Sequence, residues 1–99
     1  MNRNVILLSV DALRADHLSY HGYSRETSPF LDELSEQNAC FLNAFSASSH
    51  TREAVPSLIT GQYPSVFAEG GYRLVTESLA SRLSKRGFST AAFHSNPSV

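Results

Sequence analysis

Only one cysteine and one methionine occur among the 99 residues, and tryptophan is absent. The lone Cys40 excludes an internal disulfide framework and a cysteine-built zinc site, and it is read as a buried, inert thiol. Neither sign of charge is in excess: 8 Lys and Arg face 9 Asp and Glu, a formal net charge of −1. No basic stripe is available for nucleic acid, and no acidic excess marks an unusual salt environment. Long hydrophobic runs are missing too. Val5 to Val10 is far short of the ~20 apolar residues of a membrane span. Ser9 interrupts that run, and Asp11 follows it without a small-residue cleavage site, so it does not read as a secretory leader. These absences give a cytoplasmic chain with no nucleic-acid partner and no membrane segment.

What is present is a globular composition, 41% hydrophobic and 17% charged. Its length suits one small domain, which buries only about 60–70% of its unfolded surface. The aliphatic run Val5–Val10 predicts a strand buried on both faces. Thr27-Ser28-Pro29 predicts a helix start, with Pro at the first helical position and Asp32 and Glu33 in the first turn. Phe30, Leu31 and Leu34 would form its inner face, and Asn38 its left-handed stop. "ACFLNAF", Ala39 to Phe45, reads as a second strand. A short helix follows from Val55 or Pro56 to Thr60, closed by Gly61, with Thr51 to Ala54 as its lead-in because Pro56 cannot sit deep in a helix. Thr76 would cap a third helix with Leu79, Ala80 and Leu83 inward, and Gly87 would stop it. "FSTAAFH", Phe88 to His94, reads as a third strand.

This order predicts an α/β fold, a partial and mainly parallel sheet with flanking helices. Such a sheet of three strands lacks cover for both faces. Residues 1–99 are therefore expected to be the N-terminal, truncated portion of a larger domain.

Four residues could carry chemistry. Asp11 leaves the first predicted strand at its carboxyl end, where open α/β sheets place ligands. A carboxylate there suits a hard cation; a turn cap or a partner of Arg14 is the plain alternative. Thr51 precedes a helix whose positive end favours phosphate or sulfate, and its hydroxyl could attack an ester if activated. Otherwise it is a cap. Arg52 could hold anionic oxygens in a fork, or be a solvated side chain. His50 could act as acid or base or contact substrate. His17, His21 and His94 lack metal-ligand spacing.

The segments "VILLSVDALRADHLSYHGY", "TSPFLDELSEQNACFLNAFSASS", "TREAVPSLITGQYP" and "TESLASRLSKRGFSTAAFHSNP", taken in order, resemble the sulfatase family of the alkaline phosphatase superfamily. The resemblance spans nearly the whole chain. It implies an alkaline phosphatase-like domain, several times longer, that hydrolyses or transfers sulfate or phosphate esters. Small-molecule, glycan or lipid esters are the implied substrates. A divalent metal ion is implied as well: calcium on the sulfatase pattern, or manganese, magnesium or zinc on the phosphotransfer pattern. Asp11 falls on the first-strand metal ligand, with Ala12 where many sulfatases have a second Asp. Counting back from Thr60-Gly61, Thr51 falls on the nucleophile, which also binds the metal.

Sulfatases usually carry Cys or Ser there, in a Cys/Ser-x-Pro-x-Arg signature, oxidised to formylglycine. This chain has Thr51, with Glu53 at the Pro position and Val55 at the Arg position. Oxidising Thr gives a ketone rather than an aldehyde. A Thr nucleophile instead resembles the phospholipid-headgroup transferases and nucleotide phosphodiesterases of the superfamily. Arg52 would replace the signature Arg, and Arg52 and His50 would contact substrate. The family's remaining metal ligands lie far downstream, so the 99 residues alone are expected to be inactive. The rival reading is a non-catalytic α/β binding module, or the product of a decayed, truncated gene.

Overall fold

A computed structural model describes residues 3–97 and 99. Among the described residues the regular elements are α1 (Pro29–Gln37), α2 (Thr51–Thr60) and α3 (Leu79–Lys85), with short 3-10 turns ahead of α1 and between α2 and α3. They fall into two compact units, the first ending at Ala44 and the second beginning at Phe45.

In the first unit, 3-10 turns at Ala15–His17 and Ser19–His21 precede α1. Pro29 occupies the first turn of α1, where a missing N–H costs nothing. A small polar knot joins the Ser19 turn to this helix. Ser28 is buried and donates to Asp32 Oδ1 at 2.9 Å, while Ser19 Oγ donates to Oδ2 at 2.6 Å. Leu18, 7% exposed, directly precedes Ser19 of the knot. Asn38 is extended (φ −138°) rather than left-handed, and its Nδ2 donates to the Leu34 carbonyl at 3.0 Å. The side chain thus satisfies a terminal carbonyl that a left-handed stop would have satisfied through the backbone.

The knot makes a pH prediction. Hydrogen bonding, above all from Ser19, then from Ser28 and the Tyr20 backbone, holds the Asp32 carboxyl below its ordinary range against the opposing effect of burial. A lowered folded value gives stability that is present above the unfolded pKa, ~3.9, and is lost as pH falls through the folded one. Unfolding free energy measured from pH 6 downward is therefore expected to fall less steeply in Asp32→Asn than in the parent. Identical slopes would remove Asp32 from the acid response.

In the second unit, α2 begins at Thr51, with Ala54 N–H donating to the His50 carbonyl at 2.9 Å. The expected start at Val55 or Pro56 is corrected: Thr51 to Ala54 are helical, and Pro56 lies inside. An internal Pro removes the bond to the Arg52 carbonyl, a cost of ~3 kcal/mol. Burial of Pro56 and Ser57 offsets it, together with the bond from Thr60 Oγ1 to the Pro56 carbonyl at 2.6 Å. Gly61 closes α2 at φ 72°, a left-handed turn as expected. Two 3-10 turns, Pro64–Val66 and Ala68–Gly70, then fold around Phe67, which is 0% exposed.

Helix α3 is capped by Ser78, whose Oγ accepts from Ser81 N–H at 3.2 Å, and not by Thr76. Ser78 stands directly before Leu79, the first residue of the helix, and Thr76 stands two residues earlier. At the other end, Gly87 N–H reaches the Ser84 carbonyl and Phe88 N–H the Leu83 carbonyl, the paired bonds of a Schellman stop. Glu77 binds Lys85 and Arg82, which holds its carboxyl below the usual range.

The α/β expectation is overturned. No strand occurs among the described residues, so there is no parallel sheet, and the architecture is helix and irregular chain. Val5–Val10, Ala39–Phe45 and Phe88–His94 carry no regular secondary structure. Ile6 is 89% exposed, Phe45 90% and Phe93 95%. The physical reason is that a strand exists only through its ladder partners: β-branched composition suits a pleated surface without supplying a neighbour. Cys40 is likewise exposed rather than buried, and Phe30 of α1 is exposed rather than inward. No helix among the described residues is long and apolar enough to cross a membrane.

Candidate functional site

The amino end of α2 is prepared by a run of hydroxyl residues. Ser46 Oγ donates to the Ser48 carbonyl at 2.7 Å, and Ser48 Oγ accepts from His50 N–H at 3.2 Å. These local bonds compete with helix and hold His50 extended (φ −118°, ψ 139°) at the cap position. The cap makes no side-chain hydrogen bond to the helix. His50 Nδ1 instead lies 3.2 Å from Ser49 Oγ. Thr51 is thereby the first residue of α2 and half-buried. The first N–H groups of a helix lack intrahelical acceptors and carry the positive end of its dipole, so an anion is favoured there.

Arg52 comes next and is exposed. Its guanidinium carbon lies 5.3 Å from the centroid of the Tyr72 ring. Glu53, at the position where the signature has Pro, holds one carboxylate oxygen (Oε2) shielded from solvent and without a hydrogen-bond partner. Val55, at the signature Arg position, is half-buried within α2 and brings no charge.

Asp11 belongs to the first unit, and His50, Thr51 and Arg52 to the second. Asp11 is exposed in a turn with Ala12, whose φ of 56° is left-handed. Asp and Asn tolerate that region better than Ala, for which it costs ~1–2 kcal/mol. Such local strain is the kind found at functional turns. Nearby in sequence, Arg14 grips Asp16 with two bonds, at 3.0 and 2.7 Å. Arg14 first, and then His17 at 3.0 Å, pull the Asp16 carboxyl far below its usual range.

A hard cation such as calcium takes six to eight oxygens, and even a tetrahedral site needs at least three protein ligands. Among the described residues no three His, Cys, Asp or Glu side chains gather into such a group. These residues do not make up a complete cation site.

Tyr72 is the contact that sequence reading passes over. Twenty positions separate it from Arg52, and "EGGYRL" announces a turn without saying what the turn faces.

Compared with known proteins, residues 3–98 match the family model described as "Sulfatase". An N-acetylgalactosamine-6-O-sulfatase of Bacteroides thetaiotaomicron is 28% identical over 96 residues, covering 88% of this chain and 19% of that protein. The chain thus spans about a fifth of the length of that curated relative. No solved structure matches it.

Proposed function

The chain belongs to the sulfatase family, and from that premise we propose that it supplies the nucleophile segment of an enzyme that cleaves sulfate esters. Thr51 is the nucleophile. The single observation carrying this reading is its position as the first residue of α2, where backbone dipoles favour a tetrahedral anion. Arg52 holds the anionic oxygens, and His50 at the cap contacts the ester.

The Thr51 hydroxyl forms a bond to sulfur as the bond from sulfur to the alcohol oxygen breaks. The hydroxyl proton passes to the departing alcohol, and water then releases sulfate from Thr51. Family membership implies a divalent metal ion. Asp11 would give it one carboxylate, and the described residues do not complete its site. The relative's name points to a sulfated sugar as substrate. By that analogy a carbohydrate sulfate is the substrate class proposed.

The test is turnover by the full native protein of an aryl sulfate, a sulfated amino sugar and an aryl phosphodiester. Sulfate release from the first two is expected. Cleavage of the phosphodiester alone would move the protein to phosphoryl transfer, and no cleavage of any would favour a binding module.

A further inference from the structure

We propose that Tyr72 is a positioning residue that fixes the direction of the Arg52 guanidinium at the amino end of α2. The inference rests on the reading of Arg52 as the anion-holding group. An Arg next to a nucleophile in sequence has no reason to point along it: N1 and N2 of a helix diverge by ~100°, and a long side chain loses rotamer freedom on being fixed. Something must hold it.

The structure supplies a support built for the purpose. The Tyr72 ring lies under the guanidinium at 5.3 Å, within the ~6 Å range of cation–π attraction. A side chain at Gly71 would place its Cβ 3.8 Å from Arg52 Nη2, so the guanidinium lies against the turn itself.

The turn is closed by backbone hydrogen bonds and presents that ring from a strained conformation. Gly71 and Tyr72 are both left-handed, at φ 65° and 64°. Glycine bears this freely, whereas a bulky Tyr is strained there. The strain is over-determined by neighbouring bonds. The carbonyl of the fully buried Phe67 accepts from Tyr72 N–H at 2.8 Å and from Gly70 N–H at 3.2 Å. A tyrosine forced into a glycine-like conformation, on a turn anchored by the largest fully buried side chain, is better explained by what its ring touches than by the turn, for which Gly or Asn would serve.

The experiment is a double-mutant cycle on the full native protein, read by calorimetric titration with inorganic sulfate. Tyr72→Leu should weaken sulfate binding about two- to fivefold, as expected for an exposed cation–π contact. Tyr72→Phe, which keeps the ring, should bind as the parent does. Arg52→Ala should weaken binding more, and Tyr72→Leu added to Arg52→Ala should cause no further loss, since the ring acts through the guanidinium.

Equal losses from Tyr72→Leu on both backgrounds would overturn the proposal. So would a Tyr72→Leu protein that binds like the parent while Arg52→Ala is weakened, and in that case Arg52 keeps its role. Sulfate binding that is the same with and without Arg52, or absent from both proteins, would overturn the anion-holding role of Arg52 and this inference with it.

Discussion

Replacing Thr51 with alanine in the full native protein is expected to lower sulfate-ester turnover at least about a thousandfold. Knocking out a nucleophile typically costs that much or more, because only binding and oriented dipoles remain to speed the reaction. A thousandfold loss is ~4 kcal/mol of transition-state stabilisation, more than a lost helix cap could explain. Alanine is the best helix former and Thr51 already has helical geometry, so α2 should persist. Circular dichroism matching the parent would separate lost chemistry from lost fold. Thr51→Ser keeps the hydroxyl and should retain most of the activity. An alanine variant turning over at more than a tenth of the parental rate would leave Thr51 as the first residue of a helix and nothing more.

The second large effect is structural. Phe67→Ala should destabilise the second unit by ~3–5 kcal/mol, the usual cost of emptying a fully buried aromatic site. Against a typical domain stability of ~5–15 kcal/mol, that is a large fraction. Phe67 lies between the turns Pro64–Val66 and Ala68–Gly70. Its loss should loosen the turn bearing Gly71 and Tyr72 as well, weakening the support of Arg52. Chemical denaturation of the native protein should show a clearly lower midpoint, and Phe67→Leu a smaller drop. A midpoint unchanged in Phe67→Ala would mean that this ring is not what holds the turns together.

Helix ends were legible in sequence where a single residue decides them locally. Pro29 in the first turn of α1, Gly61 closing α2 and Gly87 after α3 act through φ, and φ belongs to the residue itself. The boundaries that were missed involve competition between neighbours. Ser78 took the cap from Thr76, and Asn38 used its amide rather than its backbone. At α2, burial of Pro56 and Ser57 offset a broken bond that propensity alone would not accept.

Membership of the sulfatase family and the place of Thr51 beside Arg52 were also in the sequence, because motif order and residue identity require no folded chain. The strands were a different matter. Val5–Val10 has the composition of a buried strand, but a strand is a relation between segments, and composition cannot provide the partner whose N–H and C=O groups complete the ladder. The contact of Tyr72 with Arg52 is of the same kind. Sequence supplied a tyrosine after two glycines; only the folding of two turns around Phe67 brought its ring to 5.3 Å from the guanidinium. What a residue does by its own dihedral angles or its own functional group could be read directly, and what it does through a distant neighbour was decided by packing.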